Sequence, residues 1–374
     1  MVGNELKDRN KIFGLDLMRV AAIVLVLLAH TLWIYSGYNN LLTKGINFSG
    51  FVGVEIFFVL SGFLIGKSLF KQFLKQDYNV QSAIHFIKRR TFRIMPGYLL
   101  VLLLNLLVAY LLGYEVQQPW KYFVFLQNFT QPMLPFFPES WSMSIKEIPY
   151  FILPFVLLAI IKCWRNTNKN IAFLLTIILF ILLPIAAKVH YHLYSEIYTL
   201  PEWNVNLRSV AIFRMDAVLV GVLASWIQYN HLAFWIKNWK LMALFGAVIM
   251  MLLIIFVGFV KISIVNHPFF WNIAFLPLIS ISSALFLPLF TEWKKGPERL
   301  RVPIQFLGAI SYSIYLLHYS LILYLMKYFI DTTTMALWQL HCFTMAYLSI
   351  TLILSYSLHT YFEKPLMKVR DKTT

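Results

Sequence analysis

GLDLMRVAAIVLVLLAH, Gly14–His30, sets a charged Asp16/Arg19 pair ahead of ten apolar residues and closes the run with His30. As a helix rising about 1.5 Å per residue, the eleven steps from Arg19 to His30 cover roughly 16 Å, about half of a bilayer's hydrocarbon core. Eleven steps are also close to three turns, so both side chains are expected on one face. Ionisable groups at that depth are costly and turn toward a polar cavity rather than lipid. The stretch predicts a membrane-spanning helix that carries a polar path inward from one surface of the membrane.

The rest of the chain follows the same pattern. Of 374 residues, 60% are hydrophobic and 13% charged, and the mean hydropathy of +0.70 leaves too little polar surface for a soluble globule. Apolar runs at 13–35, 51–70, 94–112, 141–161, 171–188, 207–228, 241–260, 269–290, 304–329 and 337–362 are each near the length of a spanning helix. The expected fold is all-α: a polytopic membrane protein of about ten transmembrane helices. One membrane domain occupies 1–374, with short tails at 1–12 and 364–374. The first run has no small-residue cleavage pattern, so it is expected to remain as a helix rather than a signal peptide. No repeat of 20 to 50 residues is visible, and the longest loop is expected at about 113–140.

Basic residues test the span count independently. With the N-terminus cytoplasmic, the clusters at 7–11, 71–93, 162–169, 237–240, 294–301 and 364–372 all fall on the cytoplasmic side. The opposite side keeps only Lys44, Lys121, Lys188, Lys261 and Lys327, and Arg19, Lys67, Lys146, Arg208 and Arg214 lie in or at the ends of spans. Both termini are therefore expected in the cytoplasm. The formal charge of +16 is mostly positive-inside bias, and no nucleic-acid partner is needed to explain it. Cys163 and Cys342 sit on separate elements without metal-type spacing and are expected as free thiols; no metal site is expected.

Three further clusters stand out. FIKRRTFRIMPGYLL, Phe86–Leu100, sets Lys88, Arg89, Arg90 and Arg93 before an apolar run, with Pro96 expected in its first turn. Two roles fit these positions: a positive-inside anchor on lipid phosphates, or a fork of Arg90 and Arg93 on the phosphates of a cytoplasmic cofactor. SWSMSIKEIPYFILP, Ser140–Pro154, brings Trp141, Ser142, Ser144, Lys146, Glu147 and Tyr150 into an apolar run. An interfacial aromatic belt accounts for the rings; Glu147 and the serines favour a lined cavity. FRMDAVLVG, Phe213–Gly221, carries Arg214 and Asp216, for which ion pairing with each other or with neighbouring helices is expected.

LDLMRVAAIVLVLLAH, FVGVEIFFVLSGFLI, FIKRRTFRIMPGY, WSMSIKE, RMDAVLVG, LGAISYSIYLLH and YFEKP follow one another along the chain. In that order the sequence resembles acyltransferase family 3, the integral membrane O-acyltransferases. The resemblance implies a ten-helix core in a bacterial inner membrane with no permanently bound cofactor. It implies transfer of an acyl group, acetyl by default, from cytoplasmic acyl-CoA to a hydroxyl of an extracytoplasmic or membrane-associated glycan or glycolipid. Glycan-synthesis proteins are candidate partners. The family's Arg-x10-His motif falls on Arg19 and His30, its Arg-x-x-Arg motif on Arg90 and Arg93, and its Trp-Ser-x-Ser stretch on Trp141, Ser142 and Ser144. Where relatives commonly read VEEQFY, this chain has Ile145–Tyr150 as IKEIPY. One acidic position is basic, a proline replaces an aromatic residue, and Glu147 remains. The 374 residues show no esterase-like extracytoplasmic domain, so a second transfer step is expected to need another protein.

Transfer from a thioester to an alcohol needs a base for the hydroxyl proton, charge stabilisation for the oxyanion and a clamp for the donor. His30 is the expected base, since an unperturbed pKa near 6.5 suits proton transfer at neutral pH. Histidine is also a nucleophile, so direct transfer and an acyl-histidine are both open. Arg19, held by Asp16, is a catalytic candidate expected to serve donor entry or to orient the site, and Arg89, Arg90 and Arg93 are expected to bind the CoA phosphates. Glu147 is a further catalytic candidate. Trp141, Ser142 and Ser144 are expected on the acceptor side or at the oxyanion; His318 and Asp16 are candidates for a proton relay, with hydrogen bonding between helices the simpler account of His318. A transporter or flippase for a glycan or glycolipid is the rival: its intramembrane charges would form an ion or substrate relay. A scaffold that only organises glycan synthesis would tolerate loss of His30 and Arg93.

Overall fold

The computed structural model describes residues 12–35, 37–38, 40–164, 168–195, 199–260 and 262–373. Among them ten helices are long and apolar enough to cross a membrane: α1 Phe13–Thr31, α2 Leu41–Phe73, α3 Val80–Leu112, α4 Pro138–Cys163, α5 Lys169–Tyr194, α6 Ala211–Asn230, α7 Trp239–Gly258, α8 Phe270–Glu292, α9 Glu298–Phe329 and α10 Leu337–Lys368. Lys7, Arg9, Lys11, Arg165 and Lys261 of the basic groups assigned above lie outside the described residues.

Two helices begin well before their apolar runs, and capping explains why. The Asn40 side chain accepts from the Thr43 N–H at 3.0 Å while the Thr43 hydroxyl accepts from the Asn40 N–H at 2.9 Å, a reciprocal box that starts α2 at Leu41 rather than 51. Asn79 accepts from the Ser82 N–H at 3.0 Å and starts α3 at Val80 rather than 94. Pro96 is consequently interior to α3, not in its first turn. The basic run Lys88–Arg93 is wound on helical turns that can face the bundle. Hydropathy alone registers only the apolar half of such a helix. α3 ends at Gly113, whose φ of +74° is the left-handed conformation that glycine supplies at a helix C-terminus.

The centre of the bundle is the crossing of α2 with α6, flanked by α1 on α2 and α5 on α6. Close approach rests on Gly62 and Gly221: a Cβ on Gly62 would run into the Val218 carbonyl oxygen, and one on Gly221 into that of Val59. Small residues let backbones meet in this way where lipid gives no hydrophobic drive to association. Gly221→Ala must push backbone aside and is expected to cost about 1–3 kcal/mol. A thermal melt of the detergent-solubilised protein should show a lowered midpoint, whereas Gly45→Ala, with nothing within 4 Å of its Cβ, should melt as wild type. An unchanged Gly221→Ala midpoint would mean that the crossing is looser.

Charges buried beside this crossing pair among themselves. Arg214 on α6 donates to Glu55 on α2, which also accepts from the Ser280 hydroxyl on α8 at 2.5 Å. Lys188 on α5 reaches Asp216 at 2.6 Å. Lys188 is fully buried, so its place in an extracytoplasmic loop is corrected: it is an intramembrane ion-pair partner of Asp216. The pairing expected for Arg214 and Asp216 thus involves neighbouring helices more closely than each other. Cys163 and Cys342 are free and exposed. At the periphery, α7 presents Leu241, Leu244, Phe245 and Met251 outward, as a lipid-facing helix does.

Candidate active site

His30 lies in the last turn of α1, and its Nδ1 is 2.8 Å from the Val26 carbonyl oxygen. A carbonyl can only accept, so Nδ1 carries the proton and the neutral ring keeps its lone pair on Nε2. His318 repeats this arrangement on α9, where Nδ1 is 2.8 Å from the Tyr315 carbonyl oxygen and Nε2 is buried without a hydrogen-bond partner. The two rings meet edge to face with centroids 4.7 Å apart, and Tyr319 closes on His30 at 5.0 Å. His318–Tyr324 is a π-helical stretch within α9. Such widened turns redirect backbone groups; here the Ser320 N–H points to the buried Glu139 carboxylate, with Oε1 accepting it at 3.0 Å and the Ser320 hydroxyl at 2.6 Å.

A cavity of about 730 Å³ runs from the end of the bundle where α1 begins toward this histidine pair. Arg19, Lys71, Arg89, Arg90, Arg93 and Lys146 line it, and Glu363 is the one carboxylate among the described lining residues. Arg19 is held by Asp16 at 2.7 Å, as the spacing of one turn implies. Arg90 is engaged differently from a phosphate fork. Its Nε and Nη2 each donate at 2.8 Å to the two oxygens of Glu147, and its plane lies 3.7 Å above the Tyr150 ring. The bidentate pair uses the geometry a phosphate would need, and it occupies Glu147 as well. Arg89, Arg93 and Lys146 line the same cavity, with the Lys146 Nζ 3.7 Å from Glu147.

At its deep end the cavity meets Ser142 and Tyr315. The Tyr315 hydroxyl oxygen is 2.6 Å from Ser142 Oγ and 3.1 Å from the Glu139 carbonyl oxygen. The Tyr315 ring is 5.7 Å from that of His318, so one ring separates the cavity wall from the histidine pair. Trp141 and Ser144 do not line the cavity. Trp141 packs against Phe58 and lies under the Arg208 guanidinium at 4.9 Å, with Phe51 contributing a second ring at 4.5 Å. Ser144 is fully buried with an unpartnered hydroxyl. The loop before α4 braces this corner: Asn128 donates to the Trp141 carbonyl at 3.0 Å and to that of Ser209, and its own carbonyl accepts the Ala211 N–H at 2.9 Å. On the far side of the histidine layer a second cavity, about 310 Å³, has Tyr319 in its wall.

Three neighbours of this site were not singled out from sequence. Tyr315 stands one turn before His318 on the face that carries it, so helical spacing could have found it. Glu139 directly precedes Ser140 and Trp141, but nothing local marks its contact with Ser320, 181 residues away. Arg208 lies in the helical segment Asn204–Arg208 before α6. Only the tertiary fold places that charge beside His30 and Tyr315.

Ten described helices long enough and apolar enough to cross a membrane, packed around a basic cavity with two paired histidines behind its Tyr315 wall, define an integral membrane protein. The Acyltransferase domain family model matches residues 12–360, and the chain belongs to that family. It is 24% identical over 342 residues to the O-acetyltransferase OatA of Staphylococcus aureus, covering 85% of this chain and 52% of that protein. Against the peptidoglycan O-acetyltransferase OatA of Listeria monocytogenes it is 25% identical over 349 residues, covering 84% and 50%. An uncharacterized protein of Haemophilus influenzae is 25% identical over 249 residues, 61% of this chain and 92% of that protein. The chain thus spans about half the length of the OatA proteins it matches. No solved structure matches it.

Proposed function

We propose that the protein is a bacterial inner-membrane O-acyltransferase that moves an acyl group, acetyl first among candidates, from cytoplasmic acyl-CoA to a hydroxyl of a glycan or glycolipid. The observation that carries this is the His30–His318 pair, ring centroids 4.7 Å apart, with Tyr315 of the basic cavity's wall 5.7 Å from His318 and Tyr319 of the second cavity's wall 5.0 Å from His30. The positive-inside bias supports a cytoplasmic basic end and cytoplasmic termini. Family membership and the two OatA relatives support the reaction class.

In this mechanism Arg89, Arg93, Lys71 and Lys146 attract the CoA phosphates at the cavity mouth, and the pantetheine arm follows the cavity toward Ser142 and Tyr315. The acceptor oxygen attacks the thioester carbonyl carbon while His30 Nε2 takes the hydroxyl proton. The hydroxyls of Tyr315 and Ser142 and the charge of Arg208 stabilise the tetrahedral oxyanion. Its collapse breaks the C–S bond, and the imidazolium returns the proton to the departing CoA thiolate. Glu147 acts by holding Arg90 in the wall.

The test uses labelled acetyl-CoA and purified protein in nanodiscs. Wild type should bind acetyl-CoA and release CoA, and Arg93→Ala should raise the half-saturating acetyl-CoA concentration about tenfold or more, as loss of a charge-assisted contact does. No binding and no release by folded wild type would return weight to a transporter, which would move its substrate without consuming acyl-CoA.

A further inference from the structure

We infer that Phe57 on α2 closes the donor cavity just beyond the thioester and sets the length of the acyl group transferred, admitting two carbons and turning away longer straight chains. This rests on the proposed acyl transfer. One face of α2 lines the cavity from its basic mouth inward, where Lys75, Lys71, Ser68, Leu64, Ser61 and Phe57 follow one another three or four residues apart. Charge at the mouth gives way to hydroxyls and then to an apolar end. Lys71 and Phe57 are separated by about 21 Å of helix. That length accommodates an extended pantetheine arm between phosphates at the mouth and a thioester at Ser142 and Tyr315.

The end wall is built from three α2 side chains with different freedom. Val54 and Phe58 are buried in a packed core that also holds Val26, Trp141 and Ile145, and the Phe58 ring meets Trp141 edge to face at 5.9 Å. Neither can give way without disturbing that core. Phe57 is only half-buried and keeps ring surface toward the cavity it lines. Its ring stands edge to face with Tyr315 at 6.1 Å, and the Tyr315 hydroxyl oxygen is 2.6 Å from Ser142 Oγ. An acyl group whose carbonyl oxygen points to those two hydroxyls therefore directs its chain at Phe57. In an apolar pocket one methylene too many or too few is worth about 10- to 200-fold in specificity, so a single ring here is enough to select a short chain. A ring that only packed on Tyr315 would, once removed, slow every donor alike; a ring that limits chain length changes their order.

The test compares CoA release from acetyl-CoA and butyryl-CoA by nanodisc-embedded protein, with chitotetraose, a soluble N-acetylglucosamine oligomer, as acceptor. Wild type should favour acetyl-CoA in kcat/KM by about tenfold or more. Phe57→Ala should reverse that order, and Phe57→Leu should fall between the two. Use of butyryl-CoA is a gain that damaged protein cannot supply. Leu64→Ala, on the same face about 10 Å nearer the mouth, should keep the wild-type order. Calorimetric binding of S-ethyl-CoA and S-butyl-CoA, thioethers that cannot transfer their chains, reads the same selection without turnover and should reverse in Phe57→Ala. Acetyl preference retained by Phe57→Ala, or butyryl-CoA used by wild type as well as acetyl-CoA, would overturn the role of Phe57. A binding order reversed in Phe57→Ala, with no CoA released from either donor by any of the proteins, would keep Phe57 as the chain-length wall and overturn the acyltransferase mechanism instead.

Discussion

Exchange of His30 for alanine is expected to cut acyl transfer by roughly 10²- to 10⁴-fold, the usual contribution of a positioned general base. The protein should still insert and fold, since the ring's one described hydrogen bond is to the carbonyl of its own helix at Val26. Because His30 does not line the basic cavity, the loss should fall on the turnover number, with half-saturation by acetyl-CoA nearly unchanged. His318→Ala should cost less, and the double variant little more than His30→Ala alone, as expected of groups that work as a unit. Steady-state CoA release by the four proteins measures all of this. Near wild-type turnover in His30→Ala would remove it from the chemistry.

Glu55→Ala should produce the largest loss of stability, about 3–5 kcal/mol, because it strands a buried cation. Arg214 is fully buried and donates to Glu55, and its Nε and Nη1 already lack hydrogen-bond partners. Removing the carboxylate leaves Asp216 Oδ1, 3.9 Å from Nη1, as the nearest described counter-charge. Replacing both partners with leucine should restore much of the loss, since the desolvated charge goes with its partner. Unfolding of the single and double variants in mild detergent reads the difference. If Glu55→Ala melts with wild type, water reaches the pair and the network is not a dry one.

The number of spans was legible from hydropathy because each transmembrane helix is long enough to show its apolar run. Their ends were less so: α2 and α3 extend through polar turns whose start is marked by Asn40 and Asn79, a capping signal that an apolar window passes over. Of the candidate site, Arg19 with Asp16 could be paired from spacing alone, and Arg90 and Arg93 from their common helix. The Arg90–Glu147 fork could not, since it joins residues 57 apart in sequence. For the same reason His318 was visible as an unusual intramembrane residue while its contact with His30 was not. Glu139 and Arg208 acquire their surroundings from helix packing, and a single sequence carries no direct record of that.

The most direct test of a two-sided reaction around His30 is vectorial. Protein is reconstituted into sealed vesicles, the fraction with the basic end outward is isolated, labelled acetyl-CoA is supplied outside and chitotetraose is enclosed within. Label should appear on the enclosed sugar and CoA outside, and neither with His30→Ala. Labelled sugar formed only when donor and acceptor share the outer compartment would contradict it.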